Sequence, residues 1–200
     1  MAKTALDTLS FTSALRWEKW LSRNHARSSG IWLRFFKKDS GAKTVTYTQA
    51  LDAALCYGWI DGQAKGFDLS SYLQRFTPRR SKSMWSKRNR EHVGRLIKEG
   101  KMQPAGLKEI QAAKRDGRWK AAYDSPSKMT VPADFLERLS KDKKANAFFA
   151  TLNRANTYAI AWRLQTARKP ETREKRMTAI LAMLAACQQF HPTPNSPRPS

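Results

Sequence analysis

Apolar residues recur every three or four positions in several stretches of the chain and run in short blocks in others, which sets the expected elements. Ser10-Phe11-Thr12-Ser13 supplies capping hydroxyls before Ala14, Trp17 and Leu21, with Trp20 offset, so a helix is expected over 13–25. Ile31-Trp-Leu-Arg-Phe-Phe36 reads as a largely buried strand that Asp39-Ser-Gly41 stops. Thr46 and Gln49 have capping-box spacing, and Ala50, Leu51, Ala54 and Leu55 continue one helical face up to Gly58. From Trp59 to Thr77 the pattern shortens around Gly62 and Gly66, predicting two or three strands. Ser83 or Ser86 caps a helix ending at about Glu99, with Gly100 after it, and Pro104 opens another that Asp116-Gly117 closes.

The remaining pattern is helical. Pro132 stands as a first helical residue before Phe135, Leu136 and Leu139; Phe148, Phe149 and Leu152 follow, then Tyr158, Ile160, Trp162 and Leu164, giving three short helices. Pro170 opens a last one with Met177, Ile180, Leu181 and Leu184 on one face. The fold class is therefore α+β: a small antiparallel or mixed β-sheet with helices in the N-terminal part, and an all-helical C-terminal part. The expected domains are 1–125, a helical subdomain over 126–190 packed on it, and a disordered tail over 191–200, which holds four of the nine prolines.

Composition supports a folded chain of 200 residues, since 40% hydrophobic and 10% aromatic content is enough for a core. Charge narrows its partners: 38 Lys and Arg against 16 Asp and Glu give +22, which attracts anions such as nucleic acid, phosphorylated metabolites or an anionic membrane face. Cys56 and Cys187 each stand among apolar residues and read as reduced core thiols. No apolar leader precedes Arg16, Glu18 and Lys19, and no continuous apolar run approaches a membrane span, so a cytoplasmic location without a transmembrane segment is expected.

No metal-ligand cluster, Gly-rich phosphate loop or nucleophile elbow stands in the sequence, so no metal and no cofactor is expected, and the chain reads as a non-enzyme more readily than as an enzyme. His25 and His92 each have the chemistry of a general base, but sit in polar helical stretches that suit surface or packing roles. The densest polar constellation runs from Trp59 onward. Trp59 and Asp61 flank a turn, Arg79 and Arg80 end a strand, and Trp85, Ser86 and Asn89 open a helix whose free N–H groups suit an anion. Between Arg75 and Lys101 ten Lys and Arg face only Glu91 and Glu99. A structural alternative pairs Asp61 with Arg79 or Arg80 and puts Trp59 and Trp85 in the core. A second basic cluster, Arg163, Arg168, Lys169, Arg173, Lys175 and Arg176, flanks Pro170, with Glu171 and Glu174 spaced to pair along the helix.

Several separated motifs occur in one order: Tyr47 to Leu55, Cys56-Tyr-Gly-Trp-Ile-Asp-Gly62, Tyr72 to Arg80, Ser83-Met-Trp-Ser-Lys-Arg-Asn89, Gly100-Lys-Met102, Asp116-Gly-Arg-Trp119 and Glu171-Thr-Arg-Glu-Lys-Arg176. Together they resemble the bacteriocin-protection, YdeI/OmpD-associated family over about residues 10–188. The resemblance implies a small cytosolic α+β protein of stress or antimicrobial resistance, with a helical C-terminal part, linked by name to bacteriocins and to an outer-membrane porin, and it supplies no established cofactor or reaction. Direct contact with a porin is not expected of a chain lacking an export leader. Three readings follow. Trp59, Asp61, Arg79, Arg80, Trp85, Ser86 and Asn89 form one cleft for an anionic small molecule; or the basic clusters bind nucleic acid; or Asp61 acts as a base in an uncharacterised enzyme.

Overall fold

The computed structural model describes residues 5–124, 128–167 and 169–192. The described residues divide into two compact units, with the split between Ala122 and Tyr123. In the first unit the order is β1 (Thr8–Ser10), α1 (Ala14–Asn24), β2 (Ile31–Phe36), a single 3-10 turn (Lys38–Ser40), α2 (Tyr47–Cys56), β3 (Trp59–Asp68), β4 (Ser71–Pro78), α3 (Lys87–Lys98) and α4 (Pro104–Arg115).

The caps are where the side-chain chemistry places them. Ser13 accepts from the Arg16 amide at 3.4 Å, and Thr46 and Gln49 close a reciprocal capping box at 3.3 and 3.0 Å. Ser86, not Ser83, caps α3 by accepting from the Asn89 amide at 3.1 Å. At its other end Gly100 takes φ +65°, and the Lys101 amide reaches back to the Leu96 carbonyl at 3.0 Å, closing the helix in a left-handed turn.

The four strands form one mixed sheet in the order β1-β2-β4-β3. β1 runs parallel to β2, with Thr8 beside Trp32, and α1 is the crossover such a pair requires. β2 and β3 both run antiparallel to β4, and β3 shifts register twice, between Asp61 and Ala64 and between Gly66 and Asp68. β1 has no signal of its own in the sequence, because three residues with one apolar position cannot show a period.

Ile31–Phe36 is not largely buried as its composition suggested. Burial alternates strictly: Ile31, Leu33 and Phe35 point into the core, while Trp32, Arg34 and Phe36 point outward and stay half-exposed. On the inward side they meet Trp17 and Leu21 of α1, Ala50 and Ala54 of α2, Trp59 and Phe76. Trp17 is fully buried, stacks on Trp20 at 5.4 Å, meets Trp59 edge-on at 6.4 Å, and donates its indole N–H to the Ala50 carbonyl at 3.0 Å. The opposite side of α2 supplies Leu51, Leu55 and Cys56 to a second core with Trp85, Val93, Leu96 and Ile110. α2 is thus apolar on two sides because both cores use it.

The second unit is helical: α5 (Ala133–Ser140), α6 (Lys143–Ala150), α7 (Arg154–Gln165) and α8 (Pro170–Ala185) around Phe135, Leu139, Ile160, Leu164, Met177, Ile180 and Leu184. Pro132 is the cap of α5 and not its first helical residue, since its ψ of 143° is extended. The buried Asn156 side chain donates to Gln189 Oε1 and the His191 carbonyl and accepts from the His191 amide, which fixes the chain after α8. The expected tail lies from residue 193 on outside the described residues, as does Arg168.

Both cysteines are free, but only Cys56 is a core thiol; Cys187 is exposed. It holds the left-handed position after α8 at φ +57°, with its amide on the Leu184 carbonyl and that of Gln188 on the Met183 carbonyl, both at 2.9 Å. A side chain with a Cβ is disfavoured there, whereas glycine is not, and glycine's looser unfolded state returns part of the gain. Cys187→Gly is therefore expected to stabilise the second unit by about 0.5–1 kcal/mol, read by urea denaturation.

Candidate functional site

The expected constellation divides among three surroundings. Trp59 lies in the sheet-side core, 1% exposed, and donates its indole N–H to the His25 carbonyl at 3.0 Å. Asp61, two residues on and on the same side of β3, accepts from the Tyr47 hydroxyl at 2.7 Å. The pairing of Asp61 with Arg79 or Arg80 considered from sequence is replaced by this contact, because β3 carries the carboxylate over the first turn of α2. Burial, and next the Asp61 charge, push the Tyr47 hydroxyl well above its ordinary pKa. Tyr47 therefore stays a proton donor to Asp61 throughout the range of biological pH.

Arg79, Trp85, Ser86 and Asn89 come together without Asp61. The Arg79 guanidinium lies over the Trp85 ring, 3.5 Å from its centroid, and donates to the Met84 carbonyl at 3.3 Å. Trp85 is 1% exposed and meets Trp119 edge-on at 4.9 Å. Arg118, which sequence reasoning did not single out, is the third member. Only 2% exposed, it donates to Asp116 at 2.7 Å and to the Ser83 carbonyl at 2.9 Å. Two buried arginines thus hold the carbonyls of the loop between β4 and α3. No signal within a short window could have shown this, since Arg118 and Ser83 are 35 residues apart.

Arg80 is exposed and is held through its backbone by Ser83: its amide donates to the Ser83 hydroxyl at 3.0 Å and its carbonyl accepts from the Ser83 amide at 2.8 Å. With Lys82, Arg88 and Arg90 it forms a basic surface around the start of α3, and none of these four has a carboxylate partner among the described residues. Arg90 lies over the half-buried Trp119 ring at 5.2 Å, and Lys87, Arg90, Glu91 and Trp119 line an open groove of about 440 Å³. The far end of α3 differs: Arg95 is bound by Asp52 and Glu99, and Lys101 by Glu99 at 2.8 Å.

Asp52 also bridges to His92 Nδ1 at 2.6 Å, so His92 joins α3 to α2. Cys56 lies in the neighbouring groove with Glu18, Asp52 and Lys101. Burial first, then Glu18 and Asp52, push its thiol up to about 11, which leaves almost no thiolate to act as a nucleophile at neutral pH. His25 packs against Tyr57 with Nδ1 on the Leu21 carbonyl. Among the described residues no group of three or more His, Cys, Asp and Glu is placed to hold a metal ion, and no helix is long and apolar enough to cross a membrane.

In the second basic cluster Arg173 pairs with Asp134 at 2.6 Å and Arg176 donates to the Arg163 carbonyl at 2.8 Å. Glu174 pairs with Arg138 of α5 at 2.8 Å and not along its own helix. These cations tie α5, α7 and α8 to one another.

Comparison with known families gives two matches. Residues 9–109 match a family described as a domain of unknown function, DUF8412, and residues 128–186 match the family described as bacteriocin-protection, YdeI or OmpD-associated. Of the motifs that carry the resemblance, Glu171–Arg176 lies in the second match, those between Tyr47 and Met102 lie in the first, and Asp116–Trp119 lies between them. No curated protein and no solved structure matches the chain.

Proposed function

We propose that this chain, which belongs to the DUF8412 family through residues 9–109 and carries a bacteriocin-protection-type segment over 128–186, acts in the cytoplasm by binding nucleic acid. The observation that carries this reading is the basic surface at Arg80, Lys82, Arg88 and Arg90, none of which has a carboxylate partner among the described residues. Cations already neutralised by carboxylates, such as Arg95, gain little from a phosphate; exposed cations without partners gain its full attraction and release its counterions. Net charge of +22 adds long-range steering of the same sign and repels a cationic peptide, so protection against such peptides would act through the bound nucleic acid.

Titration of a fluorescent 20-base-pair duplex at rising salt tests this. Affinity is expected to fall linearly on a log–log plot, by about 0.9 in slope per phosphate neutralised, and Arg80→Ala/Arg88→Ala is expected to make that slope shallower by about 2. Binding that is absent at 50 mM salt, or unmoved by salt, would end the proposal.

A second reading keeps an anionic small molecule as the ligand, favoured by the open groove of Lys87, Arg90, Glu91 and Trp119 beside the cap formed by Ser86 and Asn89. Native mass spectrometry of the nuclease-treated protein separates the two. A discrete adduct supports this ligand, and bare protein removes it.

A further inference from the structure

The outward face of the sheet carries a second set of aromatic and basic residues, distinct from the start of α3. Lys65 lies over the Trp32 ring at 4.4 Å, and the Arg34 guanidinium lies between Phe36 at 4.4 Å and Phe67 at 4.9 Å. Register explains the grouping: Trp32 is opposite Arg75 on β4, and Arg34 and Lys65 both flank Leu73. Leu73 is 2% exposed yet belongs to neither core of this unit, so the long side chains of this face cover it.

Burial and charge separate this face from ordinary sheet surface. Trp32 and Phe36 are half-exposed, and Phe67 is 52% and Leu69 97% exposed at the end of the hairpin. Three large aromatics on one solvent-facing surface are more than chance scattering supplies. Among the described residues Lys65 and Arg75 have no carboxylate or hydrogen-bond partner, and Arg75 Nε is buried without one. Only Arg34 is paired, with Asp68 at 2.7 Å. An apolar protein partner would explain the aromatics and leave the cations of this face without counter-charge. A flat π surface that also carries regular negative charge uses both.

We infer that this sheet face is a stacking platform for single-stranded nucleic acid, in which bases lie on Trp32 and Phe67 and phosphates meet Lys65 and Arg75. The inference rests on the nucleic-acid reading above and specifies which form is bound: an unpaired strand presents its base faces, and a duplex hides them. It assigns the strand to a surface other than the basic start of α3, so the two fail separately. Recognition is tolerant of sequence, because every base has a π face.

Fluorescence anisotropy of the full chain with labelled dT12, U12 and a 12-base-pair duplex, all at 100 mM salt, tests it. Both or one of the single strands are expected to bind about tenfold tighter than the duplex, and the stronger of the two tells DNA from RNA as the natural strand. Phe67→Ala, at an exposed position outside every core, is expected to weaken the single strand about tenfold and leave the duplex unchanged. Trp32→Ala is expected to do the same and Trp32→Phe to restore most of the loss. Equal binding of strand and duplex, unmoved by Phe67→Ala but weakened by Arg80→Ala/Arg88→Ala, would overturn the platform and leave the charge-driven reading standing. No binding of any probe at 100 mM salt, nor on lowering the salt to 50 mM, would overturn both.

Discussion

Replacing Gly106 by alanine is expected to destabilise the first unit by about 3 kcal/mol, lowering its melting temperature by roughly 10 °C. Gly106 lies in α4 where that helix crosses the C-terminal end of α2. A Cβ there would overlap the Cys56 carbonyl oxygen and stand 2.7 Å from that of Leu55. Both are backbone atoms, and the Cys56 carbonyl also accepts from the Gln103 amide at 3.2 Å, so neither can swing away as a side-chain end would. The Met102 methyl group, also 2.7 Å from the added Cβ, can move aside, but the two backbone oxygens cannot; overpacking commonly costs about 1–3 kcal/mol, and the rigid backbone contacts put this case at or above that range, less about 1 kcal/mol of alanine's better helix propensity. Gly94 in α3 supplies the control: nothing stands within 4 Å of its added Cβ, so Gly94→Ala is expected to stabilise by up to about 1 kcal/mol. Thermal denaturation of the two variants checks both signs. Equal shifts would mean that α4 does not approach α2 this closely.

Arg118→Ala is expected to cost about 3 kcal/mol, read by the same melts. The guanidinium is 2% exposed, and its loss leaves the Ser83 carbonyl without its donor and a void beside the loop. The charge itself matters less than the burial, because its partner Asp116 is 45% exposed and rehydrates when the pair is broken. Arg118→Met keeps the stem and removes the fork, so about 1 kcal/mol of the loss should return. Both variants are expected to bind the duplex with unchanged salt slope, since Arg118 faces the loop and not solvent. A changed slope would place Arg118 in the binding surface.

Much of the fold is legible locally because caps are local. Ser13, Thr46 with Gln49, Ser86 and Gly100 act within a turn of their own helices, and each stands where its side chain or its missing Cβ is needed. The candidate site is legible only in part, because its contacts are long-range. Asp61 finds Tyr47 by register, Arg118 finds Ser83 through the fold, and Trp59 and Trp85 stand in one sequence window but pack in two different cores. Nor does an almost wholly apolar six-residue run reveal that alternate members face solvent. That alternation turns Trp32, Arg34 and Phe36 from core candidates into a surface.

The double register shift of β3 bears on how the protein behaves when concentrated. A sheet in this order leaves two open borders, β1 and β3, each able in principle to recruit a strand from another copy and seed a fibril. β1 is three residues long, too short to template such growth. β3 is ten residues long, but its row of amides and carbonyls is broken at Asp61/Ala64 and again at Gly66/Asp68, with Lys65 charged between the breaks. Neither border offers the flat, continuous ladder that aggregation requires, so the exposed aromatics beside β3 can remain in water without drawing the chains together into β-rich assemblies.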